Sequence, residues 1–407
     1  MIAPKLRFSE FRDEWQSEKL GKVIDISSAS RVFKEQWQES GVPFFRTSDV
    51  VSIFKNTTNE KAFISNELYE ELAKKSGKIQ KDDLLITGGG SIGIPYLVKD
   101  NKPLYFKDAD LLWLKSSGKI NGSYLYNFFV SPKFREYLKS ISHTGTISHF
   151  TIEQAKTTPI VLPSMPEQTK IAEFLSAVDD KIRQLSRQLA LLNQYKKGVM
   201  QKIFSQEIRF KNDNGEDFGE WEEVPLNQIA SKVTVKNRGN KVTEVLTNSA
   251  TQGIIKQSDF FDREIVSESN INGYYVVEVD DFVYNPRISV HAPVGPIKRN
   301  KITQGIMSPL YTVFRFKEGN LDFLSYFFGT NFWHDYVKSV ANSGARHDRM
   351  NITNSDFLEM PILLPSIQEQ EKIAEFLTAI DERIDHTTAQ LTHTKQWKKG
   401  LLQQMFV

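Results

Sequence analysis

PIVLPSMPEQTKIAEFLSAVDDKI, residues 159–182, returns 202 residues later as PILLPSIQEQEKIAEFLTAIDERI, residues 361–384. The two align without a gap, and sixteen of the 24 positions are identical. Most of the others are conservative, such as Val178 against Ile380 and Lys181 against Arg383. The match runs on through Gln188-Leu189 and Gln390-Leu391, Tyr195 and Trp397, Lys196-Lys197-Gly198 and Lys398-Lys399-Gly400, and Phe204 and Phe406. Similarity this long at one fixed separation marks an internal duplication.

The segments upstream of each block correspond more loosely. LRFSEFRDEWQSEKLGKV (6–23) matches IRFKNDNGEDFGEWEEVPLNQI (208–229) through Trp15/Trp221, Leu20/Leu226 and Val23/Ile229. Leu125, Phe128, Phe129, Phe134 and Tyr137 match Leu324, Phe327, Phe328, Trp333 and Tyr336 at an offset of 199. Between these anchors the copies diverge, as expected of one scaffold presenting two different surfaces.

Within the repeated block Ile171, Leu175, Val178, Ile182, Leu185, Leu189, Leu192, Val199 and Ile203 recur at alternating spacings of four and three, with Lys196 as the one polar intruder. This is a heptad seam on a long helix. Pro163 and Pro166 mark its start, and Ser164 is placed to cap it ahead of Glu167. The second copy runs Ile373, Leu377, Ile380, Ile384, Leu391, Leu401 and Met405, weakened at Thr387 and Thr394. A lone helix cannot bury such a stripe. The expectation is that the two pair as an antiparallel coiled coil, because the chain leaves the first through a compact domain and must return along it. Phe174 and Phe376 are then left for a partner. The alternative is that each helix packs only on its own domain.

The remaining segments read as mixed α/β. Strand-like runs are VPFF (42–45), DLLIT (83–87), IPYLV (94–98), LLWLK (111–115), YYVVEV (274–279), DFVY (281–284) and LYTVFRF (310–316); helical runs are SYLYNFFVSPKFREYL and FLSYFFGTNFWHDYVK. The expected fold is α/β (α+β): a first domain over residues 1–158, a helix over 159–207, a second domain over 208–360 and a distal helix over 361–407.

Among 407 residues there is no cysteine, which excludes disulfides, zinc–thiolate sites and a cysteine nucleophile, and fits a reducing compartment. MIAPKLRFSEFRDEW has no apolar stretch of a secretory signal, and no segment is apolar enough to span a membrane, so a soluble cytoplasmic protein is expected. Net charge is only +2. Local patterning says more: no acid lies between Asp281 and Glu318, while Arg287, Lys298, Arg299, Lys301, Arg315 and Lys317 do. Residues 111–152 hold one acid, Glu136, against Lys115, Lys119, Lys133, Arg135 and Lys139. Such stretches suit an anionic partner, although acid-free runs also occur in strand-rich segments.

Gly88-Gly-Gly-Ser-Ile-Gly93 formally fits GxGxxG, but a dinucleotide fingerprint must open a helix, and Pro95 and a β-prone run follow. The second copy keeps only Gly295. A loop whose backbone approaches a ligand is the better reading. There is no GxxxxGK[ST] loop, no NPPY or DPPY motif and no convincing nuclease carboxylate set, and His386 and His393 lack a third metal ligand. No catalytic residue and no metal site is expected.

The block P-x-x-LPS-x-x-EQ-x-KIAEFL-x-A-x-D-x-x-I, once over residues 159–182 and once over 361–384, resembles the conserved regions of specificity subunits of type I restriction–modification enzymes. So does the chain order of variable domain, helix, variable domain, helix, together with VPFFRTSDV (42–50), DDLLITGGGSIG (82–93) and QGIIKQSDFF (252–261). The resemblance implies two target-recognition domains, each reading one half of a bipartite DNA site, and helices that set the spacer and hold two modification subunits. It implies a non-catalytic chain inside an adenine-specific methyltransferase that becomes an ATP-dependent endonuclease when restriction subunits join. S-adenosylmethionine would belong to the modification subunits, ATP and Mg to the restriction subunits, and no cofactor to this chain. The rival readings are a coiled-coil adaptor that does not touch DNA and a standalone DNA-modifying enzyme.

Phosphates are positioned by Lys, Arg, Ser, Thr and backbone N–H groups, and bases are read by Arg, Asn, Gln, Ser and Thr. The candidate DNA contacts in the first domain are Arg46, Thr47 and Ser48, then Gly89, Gly90 and Ser91, then His143, Thr144, Thr146, Ser148 and His149. Those in the second are Asn248, Ser249 and Gln252, then Arg287, Ser289 and His291, then Arg346, His347 and Arg349. Trp15, Trp221 and the Phe/Tyr pairs are expected in the core.

Overall fold

The computed structural model describes residues 3–108, 110–116, 118–141, 149–259, 268–342 and 348–407. The chain divides into two compact units, Met1–Arg187 with Thr388–Val407, and Gln188–Thr387. Both are α/β and are built to one plan.

Each unit has a four-stranded antiparallel sheet of the same order. In the first it runs Asp25–Ser27, Leu111–Lys115, Leu84–Thr87, Pro95–Leu97. In the second it runs Ala230–Lys232, Thr312–Phe316, Phe282–Tyr284, Ile297–Arg299. The predicted strands DLLIT, IPYLV, LLWLK, DFVY and LYTVFRF fall here, whereas VPFF and YYVVEV lie in smaller sheets. LLIT is buried at all four positions because both faces of the sheet are covered. A smaller layer differs between the copies: three strands around Val42–Phe45 in the first, and in the second a hairpin, Leu246–Ser249 with Gly253–Lys256, and a separate antiparallel pair, Tyr275–Val277 with Gly305–Met307.

SYLYNFFVSPKFREYL folds as two helices, Gly122–Val130 and Pro132–Ser140. Proline disfavours helical geometry at the residue before it, and Ser131 takes extended φ/ψ, closing one helix and capping the next through its Oγ and the N–H of Phe134. The equivalent run in the second unit breaks between Leu321–Phe328 and His334–Val340.

The long helices span Met165–Phe204 and Ile367–Met405 and pack together. In the first unit Asp179 pairs with Lys398 at 2.6 Å; in the second Asp381 pairs with Lys196. Asp381 is the repeat of Asp179 and Lys398 that of Lys196, so one bond is made twice with the copies exchanged. In each unit early residues of one helix meet late residues of the other, which makes the pairing antiparallel. The polar intruder Lys196 is therefore a pairing residue. Ile171, Leu175, Val178, Leu185, Ile373, Leu377, Ile380 and Leu391 are buried, whereas Ile182, Leu189, Leu192 and Ile384 are half-buried.

Two expectations are corrected. The Glu167 side chain takes no part in capping: it is 1% exposed, and its carboxylate accepts from Arg7 (2.7 and 2.8 Å) and the Trp15 indole (3.2 Å), although in the second copy Ser366, the repeat of Ser164, does accept from the Glu369 N–H at 3.4 Å. Glu369 accepts from Arg209 and Trp221 in the same way. Nor are Phe174 and Phe376 left bare, because Phe8 and Phe210 from the segments opening each half pack edge-on against them at 5.7 and 5.5 Å.

The adjacent glutamines complete the junction. Gln168 donates to the Pro163 carbonyl and accepts from the Asn121 N–H; Gln370 does the same with Pro365 and Asn320. The strand leading into each long helix pairs antiparallel with the strand opening its domain, Pro159–Leu162 with Gln16–Lys19 and Pro361–Leu364 with Glu222–Pro225. Each helix root is thus tied to its domain by a strand pair, an ion pair and a buried amide. Trp15 and Trp221 sit in the cores, which also take in Leu401, Leu402, Met405 and Phe406 in the first unit and Val199, Ile203 and Phe204 in the second. Among the described residues, no helix is long and apolar enough to cross a membrane.

Candidate nucleic-acid interface

In each unit the turn after the third strand of the sheet meets the segment that precedes the next repeated block. In the first unit Phe150 N–H donates to the Gly88 carbonyl at 2.7 Å, and Gly89 and His149 form an antiparallel bridge. In the second Met350 N–H donates to the Pro286 carbonyl at 2.9 Å, and Arg287 bridges Arg349. The backbone arrangement is shared while the side chains differ: Gly-Gly-Ser and His in one, Arg-Ile-Ser-Val and Arg in the other.

Gly88–Gly93 links two strands of a hairpin, and no helix begins there. Gly93 (φ +71) and Gly295 (φ +84) occupy matching points where each loop turns back. A Cβ on Gly295 would lie 2.1 Å from the Asn285 carbonyl oxygen, and one on Gly93 would meet Leu138 and Phe134 below 3 Å. Only glycine fits both the dihedral and the space.

The candidates of the first unit gather around this loop. Gly90 and Ser91 are exposed at its crest, and Thr47 lies close enough that a Cβ on Gly90 would touch its methyl at 3.8 Å. Thr47, which starts the helix Thr47–Lys55, donates its hydroxyl to the Asp110 carbonyl. Arg46 is committed internally: its guanidinium bonds Asp49 at 2.8 Å and lies over Trp37, and Asp49 raises its pKa. Ser48 is exposed and accepts from Asn59, and His149 is exposed beside Gly89. His143, Thr144, Thr146 and Ser148 lie outside the described residues.

In the second unit Arg287, Ser289 and His291 are exposed on one projecting turn. Ser289 and Ala292 exchange N–H···O=C bonds at 2.9 and 3.1 Å, so the turn is tight. Val290 at its tip is 97% exposed, a residue that polar patterning could not single out. Arg349 stands at the base of the turn, paired with Asp348. Asn248 is a correction: it is 2% exposed, and its amide is spent on the carbonyls of Val283 and Pro296, holding strands together below the surface. Its own carbonyl receives the Asn285 amide, which joins the two loops. Ser249 closes the neighbouring hairpin by accepting from the N–H of Gln252, which is exposed. Arg346 and His347 lie outside the described residues. Among the described residues, no three His, Asp or Glu side chains converge as metal ligands.

Two duplicated α/β domains with matched but divergent surface loops, joined through repeated helices, define a class, and the chain belongs to it: the type I restriction modification DNA specificity domain family matches residues 12–194 and 219–394. It is a specificity subunit, the non-catalytic component that recognises DNA targets within the restriction–modification complex. A putative type I restriction enzyme MjaX specificity subunit of Methanocaldococcus jannaschii is 24% identical over 98% of this chain and 94% of its own length. The MjaVIII specificity subunit from the same organism is 24% identical over 96% of this chain and 91% of its own. Among solved structures, the S subunit of a type I system from M. genitalium has a TM-score of 0.59 at 14% identity, covering 100% of this chain and 99% of that one. A chain from a study of type I complex assembly and conformational transition has a TM-score of 0.55 at 15% identity, covering 97% of each.

Proposed function

We propose that residues 1–158 and 208–360 each read one half of a bipartite DNA target, and that residues 159–207 and 361–407 fix the spacer between the halves. The observation that carries this reading is the pair of matched loops. Gly89-Gly90-Ser91 with His149, and Arg287-Ser289-His291 with Arg349, occupy one position of a duplicated fold with different chemistry. Arg287 and Arg349 suit guanine O6 and N7 or phosphate, whereas the glycine crest lets backbone N–H groups approach closely. Thr47, Ser48, Ser249 and Gln252 flank these loops. His143, Thr144, Thr146, Ser148, Arg346 and His347 remain candidates by sequence position.

Leu191 and Tyr195, both 54% exposed on the first long helix, offer apolar surface to a partner. In this reading two modification subunits dock on the helices and restriction subunits join through them, in the cytoplasm. S-adenosylmethionine would serve the modification subunits and ATP with Mg the restriction subunits.

The test is to map methylated adenines in DNA treated with the complex carrying Arg287→Ala and Arg349→Ala. One half-site should relax, at about 1–3 kcal/mol for each lost bidentate contact, while the other half-site stays unchanged. Relaxation of both halves, or of neither with binding intact, would overturn the assignment.

A further inference from the structure

Beside the loops, each unit carries a basic cleft whose lysines the base-reading assignment does not use. In the second unit a cleft of about 540 Å³ is lined by Lys196, Lys197 and Lys298, with His291 and His334 at its edge, and no carboxylate among its lining residues. In the first unit a cleft of about 520 Å³ is lined by Arg135, Lys139, Lys395, Lys398 and Lys399 against a single acid, Glu136. The two stand at equivalent places. Lys196-Lys197 repeats as Lys398-Lys399, and His334 follows Trp333 as Arg135 follows Phe134. The duplication has preserved a cationic cleft while the loops beside it diverged.

Each cleft touches its reading loop. Ala250, His291 and Gly295 help to line the second, and Arg135 of the first donates to the Ile92 carbonyl at 3.2 Å, under Gly93. Lys196 and Lys398 are engaged by Asp381 and Asp179. Lys139, Lys197, Lys298, Lys395 and Lys399 have no ion-pair partner among the described residues. Half-buried Lys298 has its pKa lowered by burial and by the nearby Lys196, the mark of cations crowded together in one cleft.

We propose that the twin clefts are seats for the DNA sugar–phosphate backbone, one on each half-site. The inference rests on the DNA-reading assignment above and explains a division within it. The backbone is chemically the same in both half-sites, and each seat keeps the repeated pair, Lys196-Lys197 or Lys398-Lys399. Lys298 in one and Lys395 in the other add charge from positions that are not repeated, Tyr96 and Asn193 standing at the matching places. The bases differ, so their readers are not repeated. An acidic segment of a protein partner would also fit a basic cleft, but contact with the reading loop favours the strand whose bases that loop faces.

The test uses the assembled complex with two paired substitutions, Lys197→Gln with Lys298→Gln, and Lys395→Gln with Lys399→Gln. Lys197, Lys395 and Lys399 are exposed, and charge-keeping Arg variants at the same positions control for folding. Affinity is measured on a target duplex and on an unrelated duplex across a salt series. Each Gln pair should weaken both duplexes by the same factor and reduce the slope of log K against log salt by about 1.8, at ~0.9 per phosphate, with the Arg pairs restoring it. An unchanged slope in an intact complex overturns the proposal, as does weakening of the target duplex alone. Loss of assembly with DNA binding intact overturns it in favour of a protein partner. If instead the wild-type complex prefers no sequence at all, it is the underlying DNA-reading assignment that fails.

Discussion

Glu167 lies between Arg7 and Trp15 at the root of the first long helix, and Glu369 lies between Arg209 and Trp221 at the root of the second. Removing a buried carboxylate strands a guanidinium and an indole N–H, and breaking a buried pair costs about 3–5 kcal/mol. Glu167→Ala and Glu369→Ala should each lower stability in urea by about that amount, each in its own unit; a change under about 1 kcal/mol would show the junction is held by packing alone. His334 offers a pH test. Its pKa is lowered by burial and then by Lys338, so in the window below its unfolded value, about 6.5, the unfolded chain binds more protons than the folded one. The second unit should therefore lose stability as pH falls through that window, and His334→Gln should flatten the dependence. An identical pH profile in the variant would contradict this.

At the scale of elements, the seam residue Leu185 is 2% exposed. Leu185→Asp would place an unpaired charge there and should cost several kcal/mol, roughly 3–5, read as a lower unfolding midpoint together with loss of partner assembly. Gly295→Ala should destabilise the second unit by more than about 1 kcal/mol, since Ala at positive φ costs at least that much even before the clash with Asn285; a neutral result would mean the loop can be redrawn. The long helices are legible in the sequence because one-sided burial imposes a period on them and the duplication marks them twice, and the central strands because burial on both faces leaves short apolar runs between turn residues. An E three residues after S is the local capping-box signature, and Ser366 does accept from the Glu369 N–H, but no period reports that the carboxylates of Glu167 and Glu369 are held by arginines 160 residues away. Phe174 was taken as bare for the same reason, since Phe8 covers it from a segment without regular spacing. At the interface, polar loop composition pointed to Arg287 and Arg349 but could not separate half-buried Ser249 from buried Asn248, one residue earlier on the alternate face of a strand.

At the scale of the whole molecule, the long helices carry a spacing prediction. Removing residues 182–188, with the matching heptad from the second helix, preserves the seam and shortens it by ~10 Å at 1.5 Å per residue. That is about three base pairs at 3.4 Å each. The shortened complex should methylate the same two half-sites across a shorter spacer, and an unchanged spacer with activity retained would show that the helices are no ruler.

The first unit is completed by Thr388–Val407, which brings Leu401, Leu402, Met405 and Phe406 into a core otherwise made of residues before 188. The second unit is continuous and lies wholly inside that span. On the ribosome the order of manufacture and the order of completion are therefore reversed. The unit begun first waits, with part of its apolar core uncovered, while some 200 intervening residues are made and fold. A chain halted at residue 387 should contain a finished second unit and an unfinished first one, visible as early melting and protease sensitivity confined to residues before 188. Damage near residue 400 would thus be felt by the half-site reader at the other end of the sequence, and a nascent chain would offer DNA its second reader before its first.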